Sequence, residues 1–554
     1  MSTTVARVRS AYARIEAVDR PEIWIDLRPQ AEAEAEAKAL DARISAGERL
    51  PLAGRLLAVK GNIDVAGLPT TAGCPAYAYH PVQDAPVVAR LRAAGALVLG
   101  TTNLDQFATG LVGTRSPYGA VRGAHDPARI SGGSSSGSAV AVALGLVDLA
   151  LGTDTAGSGR VPAAFNGIVG LKPTRGLVPT TGVVPACASL DCVTVFARTL
   201  PEAEQALTFM TSPPARELPP LPQRTPGPWR VAIPSDLGDL DEGWAQSYEA
   251  AVEQLATAGA QLRPIDLTPF TEAAAMLYEG AFVAERYTAV GPFIDKLMSE
   301  GGEGLDPTVT GIITRARDIP AHRLFADQAR LATLHARALA ELADADALLL
   351  PTTPGHPTLA EVAANPLAAN ARLGRFTNST NLFDLAAVAA PAGEVNGLPF
   401  GVMLIGRAFT DERLARIAAL LQPETRLAVV GAHLTGQPLN PQLLSLGARL
   451  DHTTTTAPAY RLHALSTTPP KPGLVHVGEG GAAIETEVWR LSAEGLGRLL
   501  TALPRPMTLG SVELADGTRA PGFLCEPDAL TDAADITSYG SWRSYLNRRA
   551  GQRP

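Results

Sequence analysis

The chain has 554 residues, which is enough for three or four domain equivalents or for fewer if one α/β domain is large. It carries 47 Lys and Arg against 55 Asp and Glu, and a net charge of −8 without a long basic run argues against nucleic acid as a main partner. Hydrophobic residues make up 46% and charged residues 18%, a composition that excludes a largely disordered chain.

The apolar segments do not predict a membrane protein. The longest, 139–151, is interrupted by Gly145 and Asp148 and is shorter than the roughly 20 residues that a spanning helix needs. The N-terminal segment MSTTVARVRSAYARIEAVD has Arg and Glu at helical spacing and no apolar stretch typical of a leader, so we expect a cytoplasmic chain. No CxxC pair is present, and the sequence therefore predicts neither a disulfide framework nor a metal site for Cys74, Cys187, Cys192 and Cys525.

The first half of the chain has the pattern of an α/β protein. Residues 1–50 are rich in helix formers and are predicted to be helices of an outer layer. From Leu56, short apolar runs with glycines alternate with helical stretches, which predicts a sheet buried on both faces. A Pro-rich connector is predicted at 212–228, followed by a strand at WRVAIP and by helices at 242–258 and 269–287.

A second α/β stretch runs from ADALLLPTTPG to the predicted helix DERLARIAALL, and the segment LQPETR interrupts the pattern. Beyond Leu427 the sequence predicts strands at LAVVG, AYRLHAL, GLVHV and AAIETEVWRL. We therefore expect two domains: residues 1–423, with N-terminal helices 1–50 and a core 51–423, and an independent domain at 427–554.

The strongest local signal for chemistry is the segment 130–145, ISGGSSSGSAVAVALG. A Gly/Ser loop here runs into a helix of small apolar residues, which places hydroxyls and free N–H groups where an anion or oxyanion could bind. Taken alone, such a loop is more typical of a flexible turn. A P-loop is excluded because no Gly-Lys-Ser/Thr follows, and a nucleophile elbow is disfavoured because AHDPARIS rather than a strand precedes the loop.

Two further segments strengthen the signal. GTDTAGSGRVPAAFNG ends an apolar strand in a second Gly/Ser turn, whose N–H groups could form an oxyanion hole around Ser158. LLAVKGNIDV places Lys60 in an apolar run, where a lysine that merely extends to the surface is the simpler interpretation. Only five of the 47 basic residues are lysine, and since Arg keeps its proton while Lys can lose it, this background favours a chemical role for Lys60.

Together the three segments resemble the amidase signature family of serine amidohydrolases, and the resemblance extends from about Arg55 to Arg407. It implies an α/β fold with a central mixed β-sheet covered by helices on both faces. It also implies a Ser-cisSer-Lys triad of Ser158, Ser134 and Lys60. The N–H groups of four consecutive residues would form the oxyanion hole: Thr155, Ala156, Gly157 and Ser158. The family often has Gly where this chain has Ala156, and the extra methyl could narrow the turn without removing its N–H.

These residue types suit acyl transfer. A serine hydroxyl is a weak nucleophile until a base takes its proton, and neither Gly/Ser loop contains a histidine. Lys60 is the available base, because burial lowers a lysine pKa from its ordinary value of about 10.4. Ser134 could accept the proton of Ser158 while donating its own to Lys60.

Other polar residues near these segments are predicted to have structural roles. Ser135 and Ser138 are expected to cap the following helix. Asp154 and Arg160 flank Ser158 and are expected to form either a structural ion pair or backbone hydrogen bonds. Two histidines without a partner at metal or relay spacing are expected to be surface or loop residues, His80 and His125.

The segment MLYEGAFVAERYTAV is predicted to lie on one helix, with Tyr278 and Arg286 about two turns apart on one face. A guanidinium and a phenol could bind a small carboxylate. The simpler alternative is an ion pair between Arg286 and either Glu279 or Glu285.

This segment, the TDTAGSGR turn and the C-terminal region resemble the allophanate hydrolases. That resemblance implies that Tyr278, Arg286 and Gly133 bind allophanate (urea-1-carboxylate), that ammonia and carbon dioxide are released in urea degradation, and that no cofactor is needed. It further implies a homodimer and coupling to a biotin-dependent urea carboxylase.

For residues 427–554 the resemblance implies a small γ-glutamylcyclotransferase-like α/β-barrel, linked to breakdown of the N-carboxycarbamate product. His433 is the candidate residue there, as a proton donor in a pocket around Tyr460 and Glu487. A structural alternative is a satisfied polar histidine, with Glu485, Glu487 and Trp489 on the solvated side of a strand.

Three other functions stay open at this point. A broad-specificity amidase and a glutamine-dependent amidotransferase subunit would share the same triad. A catalytically silent binding or assembly protein could keep the sheet as a scaffold, although the three catalytic positions are intact.

Overall fold

The computed structural model describes residues 3–212, 227–422 and 424–550. The chain divides into two compact units, Met1–Leu421 and Gln422–Pro554. Most of the predicted Pro-rich connector at 212–228 lies outside the described residues. None of the helices in the described ranges is long and apolar enough to cross a membrane.

The first unit is built on one large sheet. Its strands in the described residues are β1 Trp24–Leu27, β2 Leu56–Lys60, β3 Leu97–Thr102, β4 Leu149–Asp154, β5 Val169–Lys172, β6 Cys192–Ala197, β7 Arg230–Pro234, β8 Gln261–Ile265, β9 Ala347–Pro351, β10 Ala386–Val395 and β11 Leu398–Gly406. They pair in the order β1-β3-β2-β4-β6-β5-β10-β11-β9-β7-β8. The sheet is mixed: β3, β2 and β4 are parallel neighbours, as are β9, β7 and β8, and the strands between these groups are antiparallel.

The helices of this unit are α1 Thr4–Val18, α2 Gln30–Ser45, α3 Pro86–Ala93, α4 Ser136–Ala143, α5 Val161–Phe165, α6 Leu200–Met210, α7 Trp244–Thr257, α8 Thr268–Glu279, α9 Ala284–Ser299, α10 Pro307–Arg315, α11 Ala321–Leu342, α12 Leu359–Ala364, α13 Pro366–Leu373, α14 Ser379–Leu382 and α15 Asp411–Ala418.

Helices cover both faces of the sheet, as expected for strands without a polar face. In β2, Leu57 and Val59 pack in one core cluster with residues of α3, α6 and α7. Leu56 and Ala58 point the other way and pack in a second cluster with residues of α1, α2 and α4. Because successive side chains of a strand point to opposite faces, the fully buried sequence LLAVK fits this two-sided core. The predicted fold class is therefore confirmed.

Two details of the first unit differ from the sequence prediction. The N-terminal region contains the predicted helices, but it also contributes β1, which lies antiparallel to β3 at the sheet edge. The predicted helix 269–287 is wrong, because α8 ends at Glu279 and α9 begins at Ala284. Gly280 between them is extended, and the Ala281 N–H donates to the Asp327 carboxylate (2.7 Å) instead of continuing the helical pattern.

The second unit contains β12 Glu424–Val429, β13 Arg449–Thr455, β14 Tyr460–Leu465, β15 Lys471–His476, β16 Glu485–Ser492, β17 Met507–Glu513, β18 Arg519–Cys525 and β19 Ala534–Asp535, with helices α16 Asn440–Ser445, α17 Ala493–Thr501 and α18 Trp542–Ala550. The four strands predicted from the sequence are present as β12, β14, β15 and β16. The strands form a five-stranded sheet, β13-β16-β12-β18-β17, and a three-stranded sheet, β15-β14-β19. A closed barrel stays a prediction.

Candidate active site

The candidate catalytic residues lie where β2 and β4 end. Lys60 is the last residue of β2, and Ser158 lies in the turn between β4 and α5. Ser134 lies just before α4. Since β2 and β4 are adjacent and parallel, their carboxyl ends meet at one edge of the sheet, which is where α/β proteins commonly form their sites.

Lys60 is fully buried, so the alternative of a lysine extending to the surface is wrong. Its Nζ donates hydrogen bonds to Ser134 Oγ (2.7 Å) and to Thr153 Oγ1 (2.6 Å). Burial lowers the pKa of Lys60 to about 7, although the negative charges of Asp105, Asp191 and Asp154 oppose this shift. An amine that is partly neutral near pH 7 can act as a general base.

Ser134 is held by a loop that Asp105 organises. The peptide bond between Gly133 and Ser134 is cis. The Asp105 N–H donates to the Ser134 carbonyl (3.1 Å), and the Asp105 carboxylate accepts the N–H groups of Val112, Gly113 and Arg115. A Cβ at position 133 would lie 2.1 Å from this carboxylate, so the close packing requires glycine there.

Ser158 is 3% exposed and is not joined to the other two residues of the predicted triad. Its hydroxyl donates to the carbonyl of Gly110 (3.5 Å), and within the described ranges it makes no hydrogen bond to Ser134. The structure thus brings Lys60 and Ser134 together and leaves Ser158 turned toward the neighbouring loop.

A buried ion pair shapes the turn that carries Ser158. Asp154 and Arg160 are both fully buried and lie 2.9 Å apart, which confirms the predicted pair. The Asp154 carboxylate also accepts the N–H groups of Gly157 (2.9 Å) and Gly159 (3.0 Å). Burial alone would raise the pKa of Asp154, but Arg160 and the Gly159 N–H hold it below its usual value.

This turn offers three rather than four N–H groups for an oxyanion. The N–H of Gly157 donates to Asp154, so its predicted place in the hole is wrong for this conformation. In the part of the chain that the structure describes, the N–H groups of Thr155, Ala156 and Ser158 have no hydrogen-bond partner. Gly157 has φ of +137°, and a Cβ there would lie 2.5 Å from Thr377 Oγ1, which explains the glycine.

The hydroxyls predicted to cap α4 have a different role. Ser135 Oγ accepts the N–H of Thr153 (3.2 Å) and donates to its carbonyl (3.1 Å). Ser138 Oγ donates to the Leu151 carbonyl (2.8 Å). The capping prediction is therefore wrong. Because α4 is buried against the sheet, both serines hydrogen-bond to β4 instead. His80 and His125 are exposed, as predicted.

Tyr278 and Arg286 meet although they lie on different helices. Arg286 is 1% exposed, and its guanidinium donates to the Tyr278 hydroxyl (3.1 Å) and to Thr109 Oγ1 (2.9 Å). Its Nε has no hydrogen-bond partner, and no carboxylate lies within ion-pair distance among the described residues. The alternative of an ion pair with Glu279 or Glu285 is therefore wrong, and the Glu285 carboxylate instead binds the backbone and hydroxyl of Ser189.

Sequence reasoning missed the groups that position these side chains. Thr153 binds the amine of Lys60, Thr109 binds Arg286, and Asp105 holds the Ser134 loop. Asp191 accepts the Thr155 hydroxyl and the N–H groups of Ala186 and Cys187. The sequence held a signal for two of these residues. Asp105 in TTNLD and Thr153 in LGTDT are polar residues at the ends of apolar runs.

In the second unit, His433 is 8% exposed and lines a small cavity of about 40 Å³ together with Gln442 and Lys471. Its Nε2 lies 2.9 Å from Gln442 Oε1, and its ring stacks on Phe523 with the ring centroids 4.6 Å apart. Burial lowers the pKa of His433.

The other residues predicted around His433, Tyr460 and Glu487, do not line this cavity. Glu487 pairs with Arg543 (2.6 Å), and the Tyr460 hydroxyl accepts the Glu513 N–H (2.8 Å). The predicted pocket around Tyr460 and Glu487 is therefore wrong. The alternative of a solvated strand face is also wrong for Glu487 and Trp489, because each is 3% exposed.

Metal binding finds no support within residues 3–212, 227–422 and 424–550, where no group of three or more His, Cys, Asp and Glu could hold an ion.

Comparison with known proteins adds the family. Residues 6–415 match the family model described as Amidase. The chain belongs to the amidase family. Residues 425–547 of this amidase match a second model, the allophanate hydrolase C-terminal domain. Both resemblances inferred from the sequence are thus confirmed.

The similar proteins differ in length from this amidase. It is 43% identical to the urea amidolyase of Lachancea kluyveri over 95% of this chain and 31% of that protein. The chain therefore spans about a third of the length of the curated urea amidolyases that it matches. It is 37% identical to a glutamyl-tRNA(Gln) amidotransferase subunit of Symbiobacterium thermophilum, over 70% of this chain and 87% of that protein.

A solved structure of Kluyveromyces lactis allophanate hydrolase is 40% identical to this amidase, with a TM-score of 0.70. The match covers 99% of this chain and 97% of that chain, so it includes both units.

Proposed function

We propose that this chain is an allophanate hydrolase, which cleaves the terminal amide of allophanate and releases ammonia. The observation that carries the proposal is the buried guanidinium of Arg286, which has the Tyr278 hydroxyl beside it and no carboxylate partner among the described residues. A buried charge without a partner is unfavourable, and the carboxylate of a small substrate would supply the missing negative charge. Similarity to the Kluyveromyces lactis allophanate hydrolase supports the same substrate.

In the proposed reaction, Lys60 in its neutral form takes the proton of Ser134 while Ser134 takes the proton of Ser158. The Ser158 hydroxyl must first turn away from the Gly110 carbonyl. Its oxygen then attacks the amide carbonyl, and the oxyanion is stabilised by N–H groups of the 155–158 turn. The proton returns through Ser134 to the leaving ammonia, and water hydrolyses the acyl-enzyme to N-carboxycarbamate.

The second unit is proposed to act on this product, which decomposes to ammonia and carbon dioxide. His433 is the candidate residue because it lines a cavity with Gln442 and Lys471. Burial lowers the pKa of His433, which favours the neutral imidazole.

Coupling to a biotin-dependent urea carboxylase is part of the proposal. The urea amidolyases that this chain resembles are about three times as long, which leaves room in those proteins for a second activity. A homodimer and a cytoplasmic location stay predictions from the sequence.

A second candidate function is that of a glutamine-dependent amidotransferase subunit. The 37% identity to a protein of that kind favours it, and the same triad would release ammonia from glutamine. Arg286 binds Thr109, the residue before the Gly110 carbonyl to which Ser158 donates, and this argues for a substrate whose carboxylate lies close to the scissile amide.

The deciding experiment measures ammonia release by the purified chain from allophanate, glutamine, asparagine and an aryl amide. Allophanate should be hydrolysed with the highest kcat/KM, and Ser158→Ala, with an unchanged circular dichroism spectrum, should lose activity. A preference for glutamine would support the amidotransferase alternative. Unchanged turnover in Ser158→Ala would overturn the choice of nucleophile, and a wild-type chain inactive on all four amides would favour a binding or assembly protein.

A further inference from the structure

A cleft of about 380 Å³ lies among α8, α10 and α13 of the first unit. Its floor contains the half-buried Tyr278 and two asparagines that are each 5% exposed, Asn370 and Asn378. Three arginines and one glutamate stand among its lining residues: Arg315, Arg372, Arg375 and Glu279. The cleft therefore combines a positively charged rim with a polar floor.

The floor of this cleft adjoins the turn that carries the nucleophile. Asn370 Oδ1 accepts the N–H of Leu111 (2.8 Å), the residue after the carbonyl to which Ser158 donates. Asn378 follows Thr377, whose side chain packs against Gly157. A molecule in the cleft would thus lie next to both loops that surround Ser158.

Tyr278 connects the cleft to the buried guanidinium. Its ring lies under Arg286, 5.1 Å from the guanidinium carbon to the ring centroid, and its hydroxyl accepts a hydrogen bond from Arg286. The same side chain lines the cleft. An anion in the cleft would therefore lie beside Tyr278, whose hydroxyl is bound by Arg286.

The three rim arginines are not equivalent. Arg372 pairs with Asp241 (2.8 Å), and Arg375 donates to the Asp239 carbonyl (3.2 Å) and lies over the ring of Phe376. Arg315 is exposed and, among the described residues, makes no hydrogen bond or ion pair. Its charge is therefore available to an approaching anion.

We propose that this cleft is the entry route for an anionic amide substrate and that Arg315 steers the anion toward Arg286. The proposal rests on the proposed function, because its end point is the carboxylate site at Arg286. Charges on the rim of a site act over a distance and are screened by salt, with a screening length of about 10 Å at 0.1 M. The contribution of Arg315 should therefore be large at low ionic strength and small at high ionic strength.

The charge is tested with malonate, a small dicarboxylate whose binding can be measured by calorimetry without turnover. Arg315→Gln should weaken binding about two- to fivefold at low salt and leave it nearly unchanged at about 1 M salt, as expected for one screened charge. Lys296→Gln is the matched control, because that lysine is exposed and lies outside the cleft. Equal affinities of wild type and Arg315→Gln at low salt would overturn the steering role.

The route is tested by filling the cleft. Ala275 lies exposed on α8 in the cleft lining, and Ala275→Trp should lower kcat/KM for both allophanate and a neutral amide at least several-fold. Ala336→Trp on α11, at an exposed position outside the lining, should leave both values unchanged. Wild-type kcat/KM in a folded Ala275→Trp variant would show that substrate enters elsewhere.

The two proposals fail separately. A wild-type chain that binds malonate with the predicted dependence on Arg315 and salt but does not hydrolyse allophanate would retain the steering role of Arg315 and overturn allophanate as the substrate. A chain that hydrolyses allophanate but binds malonate equally well with and without Arg315 would retain the proposed function and overturn the steering role of Arg315.

Discussion

The amine of Lys60 lies 2.7 Å from the hydroxyl of Ser134, and both side chains are fully buried. The second hydrogen-bond partner of the amine is another hydroxyl, that of Thr153. Neither partner carries a charge that would hold the proton on the amine. Desolvation therefore dominates, which is why the pKa of Lys60 falls to about 7.

The first prediction concerns the pH dependence of activity. Only the neutral amine can accept a proton, so kcat/KM for an uncharged amide should rise with pH and level off above about 7, the pKa of Lys60 in the folded chain. An uncharged amide is used because its own ionisation then has no influence. A profile that is flat through pH 7 would contradict Lys60 as the base.

The same pKa shift predicts a pH dependence of stability. The folded-state pKa of Lys60 is about 7, below the value of about 10.4 expected for an unfolded chain, so the unfolded state binds more protons between these values. The free energy of unfolding should therefore rise with pH across this window. Lys60→Met should remove that rise when both proteins are unfolded in urea at several pH values. If the free energy of unfolding changed with pH in the same way in both proteins, the pKa shift of Lys60 would be contradicted.

Lys60→Arg should give an inactive enzyme. Arginine supplies a positive charge but does not release its proton near neutral pH, and its larger head must fit a site shared with Ser134 and Thr153. We expect ammonia release to fall by about 10²–10⁴, the usual contribution of a general base. Thermal unfolding of the same sample distinguishes lost chemistry from lost folding. A folded Lys60→Arg variant with wild-type turnover would exclude the mechanism.

The sequence predicted the parts of the site that depend on local pattern. Lys60 in an apolar run, Ser134 before a small-residue helix and Ser158 after an apolar strand all lie where alternation of strands and helices places them. The ion pair of Asp154 with Arg160 was predictable because the two residues flank one short turn. In each case, the contacts that fix the position of the residue are made within a short stretch of sequence or follow from the order of the parallel strands.

Contacts between distant segments were not predictable from a single sequence. Thr109 meets Arg286 across 177 residues, and Asn381 donates to the Asp154 carbonyl across 227 residues. The helix break at Gly280 depends in the same way on Asp327, which lies on α11. Helical periodicity continues through the break, so the pattern alone predicts one helix.

Arg286→Ala should separate substrates by charge. Loss of the guanidinium removes the partner for a substrate carboxylate, so KM for allophanate should rise far more than KM for an uncharged amide. Glu285→Gln is the matched control, because the neighbouring carboxylate binds Ser189 instead of Arg286. The two KM values are obtained from initial rates measured over a range of concentrations of each substrate. Equal increases of KM for the two substrates would indicate a structural role for Arg286.

Asp154→Asn should destabilise the first unit strongly. The change leaves Arg160 buried with no carboxylate, and breaking a buried pair in this way costs about 3–5 kcal/mol of unfolding free energy. It should also lower activity, because Asp154 holds the N–H groups of Gly157 and Gly159 in the nucleophile turn. Glu412→Gln, which breaks the exposed pair with Arg416, should cost less than about 1 kcal/mol. Equal urea midpoints for the two variants would mean that the buried pair contributes no more than an exposed one.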